Sequence, residues 1–241
     1  MPDRRKHRGP HPADRDLFAP RHHAVLRTAV AELSWLLERG YSDAAAVKLV
    51  GDRHQLATRQ RVAVRRSSCG DGARASRRTR RLEVADLAGA TLYIDGFNCV
   101  IIVESALSGG LILVGRDGVY RDLASVHGSY RKIAETEAAV RALGAVLERA
   151  RVARAVWLLD RPVSNSGRLR ALILAVAEEH GWRFAVELDD APEGSLKASP
   201  DVVATGDAVI LDHCQRWVDL PAAVIAAQVA DAWVVDLGHA R

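Results

Sequence analysis

The chain has only three cysteines, Cys69, Cys99 and Cys214, and no two of them stand in a Cys-x-x-Cys pair. A scattered, odd set argues against a disulfide framework or a zinc centre and suits a reducing cytoplasm. Aromatic residues make up 5% of the sequence, so the core must be aliphatic. No apolar run is long enough to cross a bilayer, and no membrane partner is expected. The charged N-terminus, with Arg4, Arg5, Lys6 and Arg8, lacks the apolar stretch of a signal peptide. Also missing are a phosphate-cradling Walker loop, a Gly-x-Gly-x-x-Gly turn and a nucleophile elbow.

What the chain does have is charge, unevenly placed. Residues 1–84 carry 19 Lys and Arg against 9 Asp and Glu, whereas residues 85–241 carry 15 against 21. A basic front joined to an acidic rear fits a polyanion-gripping part beside an acidic site. It equally fits an Arg-rich solvated surface. Hydrophobic residues make up 49%, ample for a core in one large domain or in a small one joined to a medium one.

Residues 1–20 hold four prolines and many charges and read as an irregular basic arm. Leu26, Ala29, Val30, Leu33, Leu36 and Leu37 recur at helical spacing, which predicts a helix over residues 24–39. Ser42 and Thr58 offer caps for two more helices, so residues 21–67 predict a small all-α domain. The last of these helices carries Arg59, Arg61, Arg65 and Arg66. They are candidate nucleic-acid contacts, because a phosphate contact needs only positive charge within reach. The plainer alternative is the charged outer face of a helical bundle. Residues 68–88, with Cys69-Gly70-Asp71-Gly72 and a run of arginines, read as a basic linker.

From residue 89 to 238 strands alternate with helices. Residues 92–95, 155–160, 184–188, 202–205 and 233–236 read as strands. Residues 110–114 and 119–120 flank Gly115-Arg116-Asp117-Gly118 as a hairpin. Residues 135–148 read as a helix, and Leu169, Leu172, Ile173 and Val176 mark another. This pattern predicts an α/β fold with a mostly parallel sheet, in three α/β/α layers.

Three strands end in acids. Thr91-Leu92-Tyr93-Ile94 runs into Asp95-Gly96-Phe97-Asn98, residues 155–159 into Asp160, and residues 202–206 into Asp207. The carboxyl tips of such strands are where ligands gather. Mg²⁺ or Mn²⁺ prefers oxygen ligands of this kind, so Asp95, Asp160 and Asp207 are candidate metal ligands and catalytic acids. Asp201 is a fourth, less well placed because it begins its strand. Asn98 is a candidate to orient Asp95 or touch the scissile group. Each acid also has an ordinary reading: Asp207 as a helix cap, Asp160 as a turn residue, Asp95 as the holder of a tight turn. Ser164, Asn165, Ser166 and Arg168 open a helix with free amides and suit a phosphate, or simply cap it. His127, in a polar loop, is a further candidate substrate contact.

The stretches Leu33-Ser34-Trp35-Leu36-Leu37, Leu49-Val50-Gly51-Asp52-Arg53, Ile94-Asp95-Gly96-Phe97-Asn98 and Pro162-Val163-Ser164-Asn165-Ser166-Gly167-Arg168 resemble the prokaryotic family called domain of unknown function 434. The resemblance covers nearly the full length. In that family a helical N-terminal region precedes a PIN-like domain. The acidic motifs over residues 89–238 also resemble those of PIN-like and NYN-type ribonucleases. That resemblance implies a three-layer fold and metal-dependent hydrolysis of RNA. Asp95, Asp160 and Asp207 fall on its acidic positions. Thr205-Gly206-Asp207-Ala208-Val209-Ile210 departs from it, with one acid where the NYN pattern has two. The implied function is a metal-dependent phosphodiesterase acting on RNA. The alternatives are a degenerate PIN-like domain that binds nucleic acid without cutting it, and a small-substrate phosphohydrolase.

Overall fold

The computed structural model describes residues 8–123, 130 and 132–239. Five helices come first: α1 (Asp14–Leu17), α2 (Pro20–Glu38), α3 (Asp43–Arg53), α4 (Thr58–Ser67) and α5 (Asp71–Arg80). There follow β1 (Thr91–Asp95), α6 (Gly96–Leu107), β2 (Ile112–Val114), β3 (Tyr120–Asp122), α7 (Thr136–Arg149), β4 (Arg154–Asp160) and α8 (Ser166–His180). The chain closes with β5 (Phe184–Asp189), α9 (Pro192–Ala198), β6 (Val202–Ala204), α10 (Ala208–His213), β7 (Arg216–Val218), α11 (Leu220–Gln228) and β8 (Val234–Asp236).

The main sheet has the order β5-β4-β1-β6-β7, and every pair in it is parallel. Strands β4 and β6 are buried on both faces, and the period of two sorts the side chains of the sheet between two cores. Leu92, Ile94, Ala155, Trp157, Leu159, Val202 and Ala204 pack on one side with α6, α7, α8 and α11. Val156, Leu158, Val203 and Trp217 pack on the other with α9 and α10. The mixed α/β, three-layer fold expected from the sequence is the one observed.

A second, smaller sheet has the order β3-β2-β8, with β2–β3 antiparallel as the hairpin reading expects and β2–β8 parallel. Alternation decides its two faces as well. Leu111, Leu113, Val235 and Leu237 meet Leu26, Val30, Leu33 and Val64 of the N-terminal helices. Ile112 faces Ile102 and Ala106 of α6 and Ile225 of α11. The helical region is therefore cemented to the α/β part through a shared sheet. Truncating a fully buried Leu113 to Ala would cost about 2–5 kcal/mol.

Two segments differ from the expected arm and linker. Within residues 1–20, the described part is docked. Asp14 is buried, accepts from Arg59 Nη2 at 2.9 Å and also pairs with Arg59 Nε; Arg8 pairs with buried Glu104. Within residues 68–88, α5 is a regular helix whose Arg77 is buried. Arg77 donates to Asp117 at 2.5 Å and to Asp212 at 2.7 Å, and Trp217 Nε1 donates to the Arg77 carbonyl at 2.8 Å. A run of arginines looks solvated until tertiary structure supplies buried carboxylates to receive it.

No helix among the described residues is long and apolar enough to cross a membrane. All three cysteines are buried and free.

Candidate functional site

The chain lays β4 and β5 on one side of β1, then returns to lay β6 and β7 on the other. The carboxyl ends beside β1 thus form the kind of crevice in which open α/β sheets hold ligands. Asp95 ends β1, Asp160 ends β4, and Asp207 stands three residues after the end of β6. All three line one cavity of ≈ 300 Å³ together with Asn98.

Gly96 lets α6 begin directly behind Asp95. A Cβ there would lie 2.5 Å from Leu159 Cδ2 and 3.0 Å from the Leu158 carbonyl oxygen. The Asp95 side chain makes no cap for α6. Its Oδ2 instead accepts from Thr205 Oγ1 at 2.8 Å. The same hydroxyl accepts from the Asp207 amide at 3.0 Å, and Asn98 Oδ1 accepts from the Gly206 amide at 2.7 Å. Gly206 also permits a tight crossing, since its Cβ would stand 3.0 Å from the Tyr120 carbonyl oxygen and 3.3 Å from Asn98 Oδ1. The tip of β6 is thereby tied to the tip of β1 and to the first turn of α6.

Electrostatics follow from this enclosure. Burial pushes the Asp95 carboxyl up to about 7, against the pull of the Thr205 hydroxyl, and the charges of Asp207 and Asp160 push the same way. Asp160 is also raised, chiefly by burial and further by Asp189 and Glu193. Buried carboxylates facing one another hold protons above their ordinary range unless a cation intervenes. Asp207 caps α10, its Oδ1 accepting from the amides of Val209 at 2.8 Å and Ile210 at 3.2 Å. The capping reading of Asp207 is thus realised alongside its place in the cavity.

Three lining residues were not among the candidate acids or were assigned elsewhere. Asp122 ends β3, and Glu193 sits in the first turn of α9. Arg66 reaches in from α4, its Nη2 lying 3.6 Å from Asp122 Oδ2. An acid at the end of a hairpin strand is a signal the sequence does carry. Nothing local marks Glu193, and Arg66, a candidate nucleic-acid contact by its basic helix, carries no local sign that it lines this cavity.

Other sequence candidates stand apart. Asp201 precedes β6, which runs parallel to β1 with Val202 level with Leu92. It therefore lies at the opposite edge of the sheet, about 13 Å of strand rise from Asp95. Ser164 and Arg168 are exposed. Asn165 adopts a left-handed conformation (φ 67°) at the start of α8 and donates through Nδ2 to the Tyr130 carbonyl at 2.7 Å. Ser166 is buried, its hydroxyl 3.4 Å from the Arg161 carbonyl oxygen. Asn165 and Arg168 line a separate cavity of ≈ 160 Å³ with Tyr130 and Lys132. His127 lies outside the described residues. All four arginines of α4 are ion-paired inside the molecule: Arg59 with Asp14, Arg61 with Asp52 at 2.7 Å, Arg65 with Asp43 at 2.5 Å, and Arg66, more loosely, with Asp122 at 3.6 Å.

The donors at the acidic cavity are all oxygen, the kind that hard divalent cations take. Among the described residues no three carboxylates, imidazoles or thiols close around a single point. A hexahydrate-like ion that keeps most of its waters needs only one or two protein carboxylates, and Asp95 with a neighbour can provide them.

Fold and site together define a three-layer α/β protein with an acid-lined crevice at the carboxyl edge of a parallel sheet. The chain belongs to the family described as "Domain of unknown function (DUF5616)", which matches residues 84–223. Residues 25–80 match "Protein of unknown function (DUF434)". The likeness to the latter, read from the sequence as nearly full-length, is thus confined to the helical region, and the α/β part carries its own family description. The chain is also similar to "Uncharacterized protein MJ0935" of Methanocaldococcus jannaschii, with 31% identity over 206 residues, covering 83% of this chain and 96% of that protein. No solved structure matches significantly.

Proposed function

We propose that the protein is a metal-dependent phosphodiesterase that cleaves RNA, with a site of the PIN-like kind. The observation that carries this reading is the meeting of Asp95, Asp160 and Asp207, from three strand ends, in one ≈ 300 Å³ cavity. Asp95 and Asp160 are the residues that would hold Mg²⁺ or Mn²⁺, with Asp207 beside them. Such an ion, when bound, polarises a phosphoryl oxygen and makes water a stronger nucleophile. A carboxyl pushed towards neutral pH by burial and like charges is one that a cation returns to its ordinary range.

The chain's own groups prepare the site. Thr205 fixes the rotamer of Asp95 through its hydroxyl, and Asn98 anchors the Gly206 amide. Phe97, Ile101, Val163, Leu196 and Ile210 wall the cavity, displacing water and strengthening every charge interaction inside it. The surplus of positive charge in residues 1–84 supports an anionic polymer as substrate.

A second reading has an observation of its own. Asp207 already spends Oδ1 on capping α10, which favours a PIN-like domain that binds nucleic acid without cutting it. The deciding experiment is cleavage of labelled single-stranded and structured RNA with Mg²⁺ or Mn²⁺, beside Asp95→Asn. Metal-dependent cleavage that the variant lacks supports the phosphodiesterase. Salt-sensitive binding without cleavage in either protein supports the binder. Absence of both RNA cleavage and RNA binding would favour a small phosphoester substrate.

A further inference from the structure

We infer that Arg66 is the residue that holds the substrate phosphate, lent to the acidic site by the helical region; the inference rests on the phosphodiesterase reading. Of the described residues lining the acidic cavity, Arg66 is the one cation, set against Asp95, Asp122, Asp160, Glu193 and Asp207. A phosphate entering such a cavity meets net negative charge and needs a fixed positive partner beside any metal.

Three observations assign that role to Arg66 rather than to its helix neighbours. Arg59, Arg61 and Arg65 each hydrogen-bond an aspartate within the helical region. Arg66 makes a looser ion pair, with Nη2 3.6 Å from Asp122 Oδ2, beyond hydrogen-bond length. Its Nε is buried and has no hydrogen-bond partner, an unsatisfied donor of the kind that native structures keep few of. Position adds the third. Arg66 also lines an adjoining cleft of ≈ 450 Å³ between α4, α5 and the start of α10, and Asp207 is shared by both cavities. A polynucleotide passing through the cleft would present a phosphate to Arg66 as it enters the acidic cavity. The planar fork of arginine suits two phosphate oxygens at once, which lysine cannot match.

The test uses the full-length protein, wild type, Arg66→Met and Arg66→Lys. Inorganic phosphate binding is followed by thermal-shift titration in EDTA, and RNA cleavage by steady-state kinetics with Mn²⁺. Loss of one charge-assisted contact predicts phosphate affinity at least about tenfold weaker in Arg66→Met. Cleavage should fall with the loss carried by KM, and Arg66→Lys should restore part of both. The lysine variant also guards against misfolding, since it keeps the charge and the stem. Phosphate protection equal in all three proteins, or absent from the wild type, would overturn the inference. Wild-type cleavage that Arg66→Met matches would overturn it while leaving the phosphodiesterase reading intact. Arg66-dependent phosphate binding in a wild type that never cleaves would uphold the anion site and sink the phosphodiesterase.

Discussion

Thr205 Oγ1 donates to Asp95 Oδ2 at 2.8 Å while accepting from the Asp207 amide at 3.0 Å. One hydroxyl therefore sets the relation between two strand tips and the acid that follows the second. Thr205→Val keeps the shape and removes both bonds, leaving a carboxylate and an amide unpaired. The expected result is a loss of about 1–3 kcal/mol in stability and, under the proposed phosphodiesterase reading, at least about a tenfold drop in metal-dependent turnover. Urea unfolding and single-turnover cleavage would measure the two; unchanged turnover would remove Thr205 from the machinery.

In protein stripped of divalent cations, Asp95 predicts a stability that falls with rising pH. Burial, with Asp207 and Asp160, raises it from 3.8 to about 7, so between those values the folded state binds more protons than the unfolded. Stability is then greatest at acid pH and is lost as pH rises through the folded value. From pH 5.5 to 8 the loss from this group should be on the order of 2 kcal/mol, or about 4–8 °C in the melting midpoint for a chain of this size. Asp95→Asn should flatten that slope. Melting curves in EDTA across this range decide the matter, and an equal slope in both proteins would count against it.

Asp117 predicts the opposite slope at lower pH. It is buried, which raises its carboxyl, yet Arg121 and Arg77 outweigh that and hold it at about 2, below the ordinary 3.8. Arg121 reaches it with two bonds, at 2.8 Å and 2.7 Å. A depressed value contributes stability that is present above pH 4 and lost as pH falls towards 2. Asp117→Asn should therefore destabilise strongly at pH 7, by about 3–5 kcal/mol for a broken buried pair, and by roughly 1–2 kcal/mol less at pH 2.5, where the carboxyl is still mostly ionised. Denaturant midpoints at the two pH values test this.

Gly96→Ala should disturb the site from behind. The new methyl would press on Leu159 Cδ2 at 2.5 Å and on the Leu158 carbonyl oxygen at 3.0 Å, and the backbone oxygen has little room to yield. A cost of about 1–3 kcal/mol is expected, with Asp95 displaced and, under the proposed reading, RNA cleavage reduced. Wild-type stability together with wild-type turnover would show that α6 can start elsewhere.

Much of this architecture is legible along the chain. Alternating strands and helices gave the parallel sheet, because buried strands and amphipathic helices each write their own period. The abrupt ends of the runs at Ile94-Asp95 and Leu159-Asp160 marked strand tips bearing acids. The hairpin about Gly115-Arg116-Asp117-Gly118 carried its turn chemistry in the sequence. Sequence and structure part where local charge suggests a solvated surface. Arg77 and Asp14 look like surface residues, and only long-range partners reveal that both are buried.

By itself, then, the sequence determined which residues end strands and which faces are apolar, since both are local properties of the chain. Tertiary structure decided which of those acids share a cavity. Asp201 is excluded because its strand runs parallel to β1, so strand starts and strand ends lie on opposite edges. Glu193 and Arg66 are admitted because α9 and α4 are carried there by packing. The pairing of β2 with β8 joins distant parts of the chain into the sheet that fixes the helical region against the site. No local pattern encodes that juxtaposition, because its free energy comes from surfaces that meet only once the chain has folded.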